Sequence, residues 1–219
     1  MSSRAERGSS PLTAHRLPLT LQRMFIELTD HLRCPADHDE SFLVLLPDRV
    51  EGRSVIQGQL GCPVCGRTFE LADGVLDTGD AAEPRASTPP ALDAEAVTAL
   101  VGLSGPGGYL TLVGSVADLW KDIAALNPGI ALVAVNPGPG VTDAPGISVL
   151  RSGRIPLKSR SMRGAVLGRP YGDDLHWVGE GARVVLPGLR IVGEGADPPA
   201  EIIGLLASAD GVWVGTKRR

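Results

Sequence analysis

Apolar residues recur along the first third of the chain at two different periods. Over residues 19–33, Leu21, Met24, Phe25, Leu28 and Leu32 return every three or four positions, one stripe that predicts a helix stopped by Pro35. Residues 41–46 (SFLVLL) and 54–60 (SVIQGQL) read as strands, and the PDRVEGR between them has the Pro and Gly of a turn. TFELADGVLD predicts a further short strand, a turn at Asp73-Gly74 and a strand end. The pattern then lapses. Residues 79–92 (GDAAEPRASTPPAL) have no apolar period, which places a linker there.

Helix and strand alternate after the linker. Asp93 caps a helix to about Leu103, with Gly102 marking its end. Residues 109–113 (YLTLV) and 130–135 (IALVAV) are continuous apolar runs, as in parallel strands covered on both faces, and VADLWKDIAAL between them reads as a helix. Strands at 147–150, 164–168, 189–194 and 211–216 follow, with helices expected at 173–185 and 199–208. The expected organisation is a flexible tail (1–18), a small α+β unit (19–78), the linker (79–92) and an α/β open sheet (93–219).

Composition narrows the functions. A net charge of −4 argues against a general nucleic-acid or membrane-surface binder, which needs a basic footprint, though it does not exclude nucleic acid. A local exception is the run Arg151, Arg154, Lys158, Arg160 and Arg163; an RNA-binding adaptor would need all five on one exposed face. No apolar run approaches the roughly 20 residues of a membrane span. The N-terminus lacks the apolar stretch of a secretory signal, so a cytoplasmic location is expected.

Three cysteines do not suit a disulfide framework, and two of them form a CxxC pair. Cys34-Pro-Ala-Asp-His38 is followed, after 23 residues, by Cys62-Pro-Val-Cys65-Gly. Two chelating turns joined by a hairpin are how a zinc ribbon presents four ligands. Cys34, Cys62 and Cys65 are the expected thiolates and His38 the favoured fourth ligand, with His31, Asp37 and Asp39 as alternatives. The competing reading is a redox CxxC beside an unrelated buried Cys34. No spare acid or base accompanies the cluster, which favours a structural role for zinc.

These residues resemble a family. LTDHLRCPADHDESFLVLL and GQLGCPVCGRTFELADGV are similar to the small zinc-ribbon proteins that activate tRNA-, rRNA- and protein-modifying methyltransferases. The likeness covers about residues 21–78 and rests on Cys34-Pro35, Cys62-Pro63-Val64-Cys65, Phe69 and Asp73-Gly74-Val75. It departs at the first turn, where Ala-Asp-His replaces the usual second cysteine. Such proteins lend a strand edge to a methyltransferase sheet. The resemblance therefore implies a methyltransferase partner, which the rest of this chain can itself supply, or self-association through the ribbon edge.

Residues from about 91 onward are similar in layout to a class I S-adenosylmethionine-dependent methyltransferase. GPGGYLTLVGS stands where the first strand and cofactor loop belong, and Arg183, Leu186, Pro187 and Gly188 match a late helix, turn and strand. The resemblance puts the cofactor at Gly114, Ser115 and Asn136. That loop has one glycine and no acid, and Asn136 stands where a carboxylate usually holds the ribose. The implied protein is a zinc-binding scaffold or regulator whose methyltransferase-like unit has lost its cofactor motif. The alternative is an active methyltransferase with an atypical loop. Asp118, Asp143, Asp173 and Asp174 are further candidate carboxylates, more simply read as caps. His176 beside Trp177 is either a substrate contact or a structural pair, and NPGPG (136–140) either lines a cleft or makes a turn.

Overall fold

The computed structural model describes residues 24–81, 88–142 and 146–218. The N-terminal unit contains strands β1 (Met24–Phe25), β2 (Val44–Glu51), β3 (Ser54–Gly61), β4 (Thr68–Ala72) and β5 (Val75–Asp77), with a short 3-10 helix over Ile26–His31. The remainder runs α1 (Ala94–Val101), β6 (Tyr109–Val113), α2 (Trp120–Leu126), β7 (Ala131–Val135), β8 (Ile147–Arg151), β9 (Gly164–Leu167), α3 (Leu175–Val184), β10 (Arg190–Glu194), β11 (Ile203–Ala209) and β12 (Val212–Lys217). All twelve strands join one mixed sheet, ordered β1-β3-β4-β5-β8-β7-β6-β9-β10-β12-β11 with β2 on the other side of β3. From β5 to β10 every pairing is parallel, and β12 runs antiparallel to both β10 and β11.

Both faces of the central strands are buried, as their continuous apolar runs require. Leu110, Leu112, Leu132, Ala134, Ile147 and Val149 point to one face, where Val97 and Val101 of α1 and Ile123 of α2 cover them. Val113, Val133, Val135 and Leu150 point to the other, where α3 contributes Trp177, Val178 and Ala182. The connections from β7 to β8 and from β8 to β9 contain no described helix to cover that second face. The N-terminal unit covers it instead. Met24, Leu28 and Leu32, all fully buried, pack in the same cluster as Val133, Ile155, Leu157 and Met162.

This packing explains why the helix expected over 19–33 is cut short. Phe25 is drawn into strand pairing with Ser54, and its N–H reaches the Ser148 hydroxyl. The turn must end by His31 so that Leu32 can bridge Leu157 and Arg33 can bridge Phe42. Residues 19–23 lie outside the described residues. A second difference is at 199–208, expected as a helix and found as a turn that leads into β11 at Ile203. Asp210 and Gly211 both take positive φ, 53° and 73°, the turn that a two-residue hairpin requires. That turn folds β11 back on β12. A third difference is in β2, which runs on through Pro47-Asp48-Arg49. Bulges there absorb the proline, and the reversal waits for Gly52. Finally, VADLWKDIAAL begins as a 3-10 turn over Gly114–Leu119 before α2.

Candidate functional site

The metal cluster sits where two tight turns meet. Cys34 follows the Leu32 and Arg33 bridges, and its N–H donates to Ser41 O at 2.9 Å, closing the turn that carries His38. Cys62 follows the end of β3; its N–H donates to Arg67 O, and Gly66 N–H donates back to Cys62 O. Gly66, at φ 70°, lets the knuckle reverse into β4. The register Gly61–Thr68 then holds the knuckle at a hairpin tip.

The ligand atoms of Cys34, His38, Cys62 and Cys65 all lie within 4.8 Å of one another, a group able to hold a metal ion. Cys34 Sγ stands 3.7 Å from Cys65 Sγ, and His38 Nε2 stands 3.4 Å from Cys62 Sγ. A tetrahedral centre with bonds of about 2.3 Å to sulfur and 2.0–2.1 Å to nitrogen needs separations of roughly 3.8 and 3.5 Å. The donor set fits zinc. His38 Nδ1 lies 2.6 Å from the Asp39 carbonyl, so it carries the proton and leaves Nε2 facing the sulfurs. Burial pushes the Cys34 thiol up to about 12. Burial also pushes Cys62 up, but backbone N–H groups of Cys65 and Val64 outweigh it and bring that thiol down to about 6. A cation at the centre would hold all three sulfurs as thiolates.

His31 takes no part in the cluster. Its ring meets Tyr109 edge-on at 5.1 Å, and burial, with the Lys158 and Arg33 charges beside it, pushes the imidazole below its usual range. Asp37 and Asp39 are exposed.

The second candidate site lies at the carboxyl ends of the parallel strands. The chain order reverses between β6 and β9, the switch point at which open α/β sheets bind ligands. Gly114, Ser115 and Asn136 all follow the ends of adjacent β6 and β7. Their surroundings are full. A Cβ built on Gly114, whose φ is 72°, would stand 2.5 Å from the Tyr171 ring and 3.2 Å from Arg169 O. One built on Gly168 would meet Ser115 Oγ and Val116 N, each at 2.7 Å. Ser115 is buried, and its hydroxyl has no hydrogen-bond partner among the described residues. Asn136 donates to Ser152 O at 2.7 Å and accepts from Ser152 N at 2.9 Å, so both ends of its amide are engaged within the fold. Gly114 is thus closely packed, and the Asn136 amide is turned into the fold.

The remaining candidates have structural partners. Asp174 caps α3 by accepting from His176 N, and Asp173 accepts from Ala196 N. Asp118 is exposed on the 3-10 turn, and Asp143 lies outside the described residues. His176 is exposed beside Trp177, its Nε2 3.2 Å from Gly153 O. Gly138 O accepts from Val141 N, so NPGPG forms a turn. The basic run does not make one exposed face. Arg154 reaches Pro35 O and Glu180, and Arg163 donates to the carbonyls of Ser104, Gly105, Pro106 and Gly107.

Sequence reading missed one feature entirely. Glu180 of α3 is buried, receives Ile155 N–H at 3.0 Å and pairs with Arg183 at 2.8 Å. Arg183 in turn reaches Glu40 at 3.2 Å and the Leu157 and Ile155 carbonyls, which fastens the turn carrying Cys34 and His38 to α3. Its only sequence signal was an i,i+3 Glu-Arg pair, which is ordinary on any helix surface.

No protein-family model matches the chain, and no curated protein matches it. Among solved structures, it is similar to the pyocyanin biosynthetic protein PhzM at a TM-score of 0.39 and 13% identity, covering 53% of this chain and 52% of that one. The chain thus spans about half the length of that protein. Among the described residues, no helix is long and apolar enough to cross a membrane.

Proposed function

We propose that this chain is a zinc-stapled scaffold: a zinc ribbon built in cis onto the sheet of a class I methyltransferase, with no working cofactor site. Zinc is held by Cys34, His38, Cys62 and Cys65 in a closed set with no open position, and so acts structurally. The strand order supports the methyltransferase-like half. Counted from β6, the strands run third, second, first, fourth, fifth, seventh, sixth, with the seventh antiparallel. That is the arrangement the class I resemblance implies. β5 pairs in parallel with β8 through Leu76–Leu150 and Asp77–Arg151, so the ribbon already lends this edge to its own chain.

The observation that carries the scaffold reading is the filled switch point: the Tyr171 ring lies against Gly114, and Ser152 takes both ends of the Asn136 amide. A working site would need that space for adenosine and one of those groups for ribose.

Calorimetric titration of S-adenosylmethionine and S-adenosylhomocysteine into the zinc-loaded protein tests the reading. No heat of binding is expected at millimolar ligand. Micromolar binding of either ligand would sink it and favour the active-enzyme alternative.

A further inference from the structure

The chain's net negative charge arises in the N-terminal unit, which also bears an apolar strip. Residues 34–78 carry eight Asp and Glu against three Arg, whereas the whole chain carries 25 acidic and 21 basic residues. Outside the ribbon the charges nearly cancel. Two of those three arginines already face acids within the N-terminal unit, Arg49 with Glu51 at 3.4 Å and Arg53 with Glu27. The acidic excess is therefore a property of the ribbon surface, and three zinc-bound thiolates would deepen it by one further charge.

Within this surface, Phe42, Val44 and Leu46 alternate along one side of the β2 segment and are 57%, 44% and 61% exposed. Leu43 and Leu45, pointing the other way, are the more covered pair, so the strip is one face of the strand. Val64 extends it: Val44 pairs with Gly61, and Val64 projects from the knuckle just beyond, 64% exposed. Four exposed apolar side chains in a row are more than scattered surface leucines, and such a strip marks a contact site. Asp48 and Glu70 rim its far end, where they border a hollow of about 410 Å³ floored by Gln57 and Gln59. Asp37 and Asp39 are exposed on the turn that leads into Phe42.

We propose that this strip is a docking surface for a basic amphipathic segment of a partner protein, one whose apolar side chains are flanked by Lys or Arg. Apolar side chains of the partner cover Phe42, Val44, Leu46 and Val64, and its cations meet the acidic rim. The charge pattern argues against a second copy of this strand as the occupant. A second copy of this surface would bring the same exposed acids, Asp37, Asp39, Asp48 and Glu70, against one another, and like charges brought face to face are destabilising. Pro47 and the bulges around it also blunt the edge beyond Leu46, which favours docking on the face over addition of a long strand.

The surface is independent of the cofactor question, and its test leaves that site untouched. Two labelled model peptides are titrated into the zinc-loaded full chain by fluorescence anisotropy, one alternating Leu with Lys and the other Leu with Glu. The Leu/Lys peptide is expected to bind at least tenfold more tightly, with affinity falling as salt rises. Val44→Ser combined with Leu46→Ser should weaken it about tenfold, and Asp48→Asn combined with Glu70→Gln should reduce the salt dependence. All these side chains are exposed, and an unchanged thermal melt confirms that the variants fold. Equal binding of the two peptides, or binding indifferent to both double variants, would overturn the proposal. So would sedimentation showing a concentration-dependent dimer that Leu46→Ser abolishes, because the occupant would then be a second copy.

Discussion

Glu180 shows how one side chain can tie distant parts of this fold together. It sits on α3, almost wholly out of solvent, and its two oxygens face Arg183, Arg154 and the Ile155 N–H. Arg183 and Arg154 extend the contact to Glu40 and to the Pro35 carbonyl, on the turn that carries two of the metal ligands. Removing one member of a buried pair leaves the other charge poorly compensated. Glu180→Ala should cost about 3 kcal/mol in urea unfolding, while Glu180→Gln, which keeps an acceptor for Ile155 N–H, should cost less. Equal and small losses for both would show that solvent replaces the pair.

At the scale of elements, close approach between neighbours decides what the sequence could and could not reveal. β10 and β12 pair so that Gly193 lies opposite Trp213, and a Cβ on Gly193 would stand 2.2 Å from the indole ring. Gly193→Ala must push that fully buried ring aside. A loss of about 1–3 kcal/mol and a shift in tryptophan emission are expected; an unchanged melt would mean the ring has room to move. The runs YLTLV, IALVAV and ISVL were legible as buried parallel strands because every residue there meets a covered face. The Cys34/His38 and Cys62/Cys65 turns were legible because ligand spacing is a local property. β11 was misread because IIGLLASA carries no period of its own, and the deciding signal, Asp210-Gly211, lies beyond its end. The helix over 19–33 was misread because its stripe is real but serves a different purpose: Met24, Leu28 and Leu32 cover a sheet, not a helical neighbour. Tyr171 filling the switch point had no sequence signal at all, since it depends on two loops meeting after β6 and β9.

Taken as a whole, the molecule has apolar packing that crosses the place where its composition changes. The linker separates two stretches of sequence, yet Met24, Leu60, Leu71 and Leu76 share one apolar cluster with Val133, Leu167 and Ile191. On the proposed reading, a metal that stabilises the N-terminal unit by an amount on the order of 10 kcal/mol would support the larger sheet as well. The three tryptophans make this measurable, because Trp120, Trp177 and Trp213 all lie in the larger half. Chelation of zinc should shift their emission and lower the melting temperature in a single transition. A ribbon signal lost by circular dichroism with tryptophan emission unchanged would show instead that the halves are energetically separate.

The parallel pairing of β5 with β8 also has a consequence for stoichiometry. A ribbon supplied by a separate chain is shared among clients by mass action, each receiving what its abundance and affinity command. In the proposed scaffold, a tethered ribbon meets its own β8 at an effective concentration in the millimolar range, far above that of a typical free competitor. The ratio of ribbon to sheet is then fixed at one to one by the gene itself, and this edge is withdrawn from exchange.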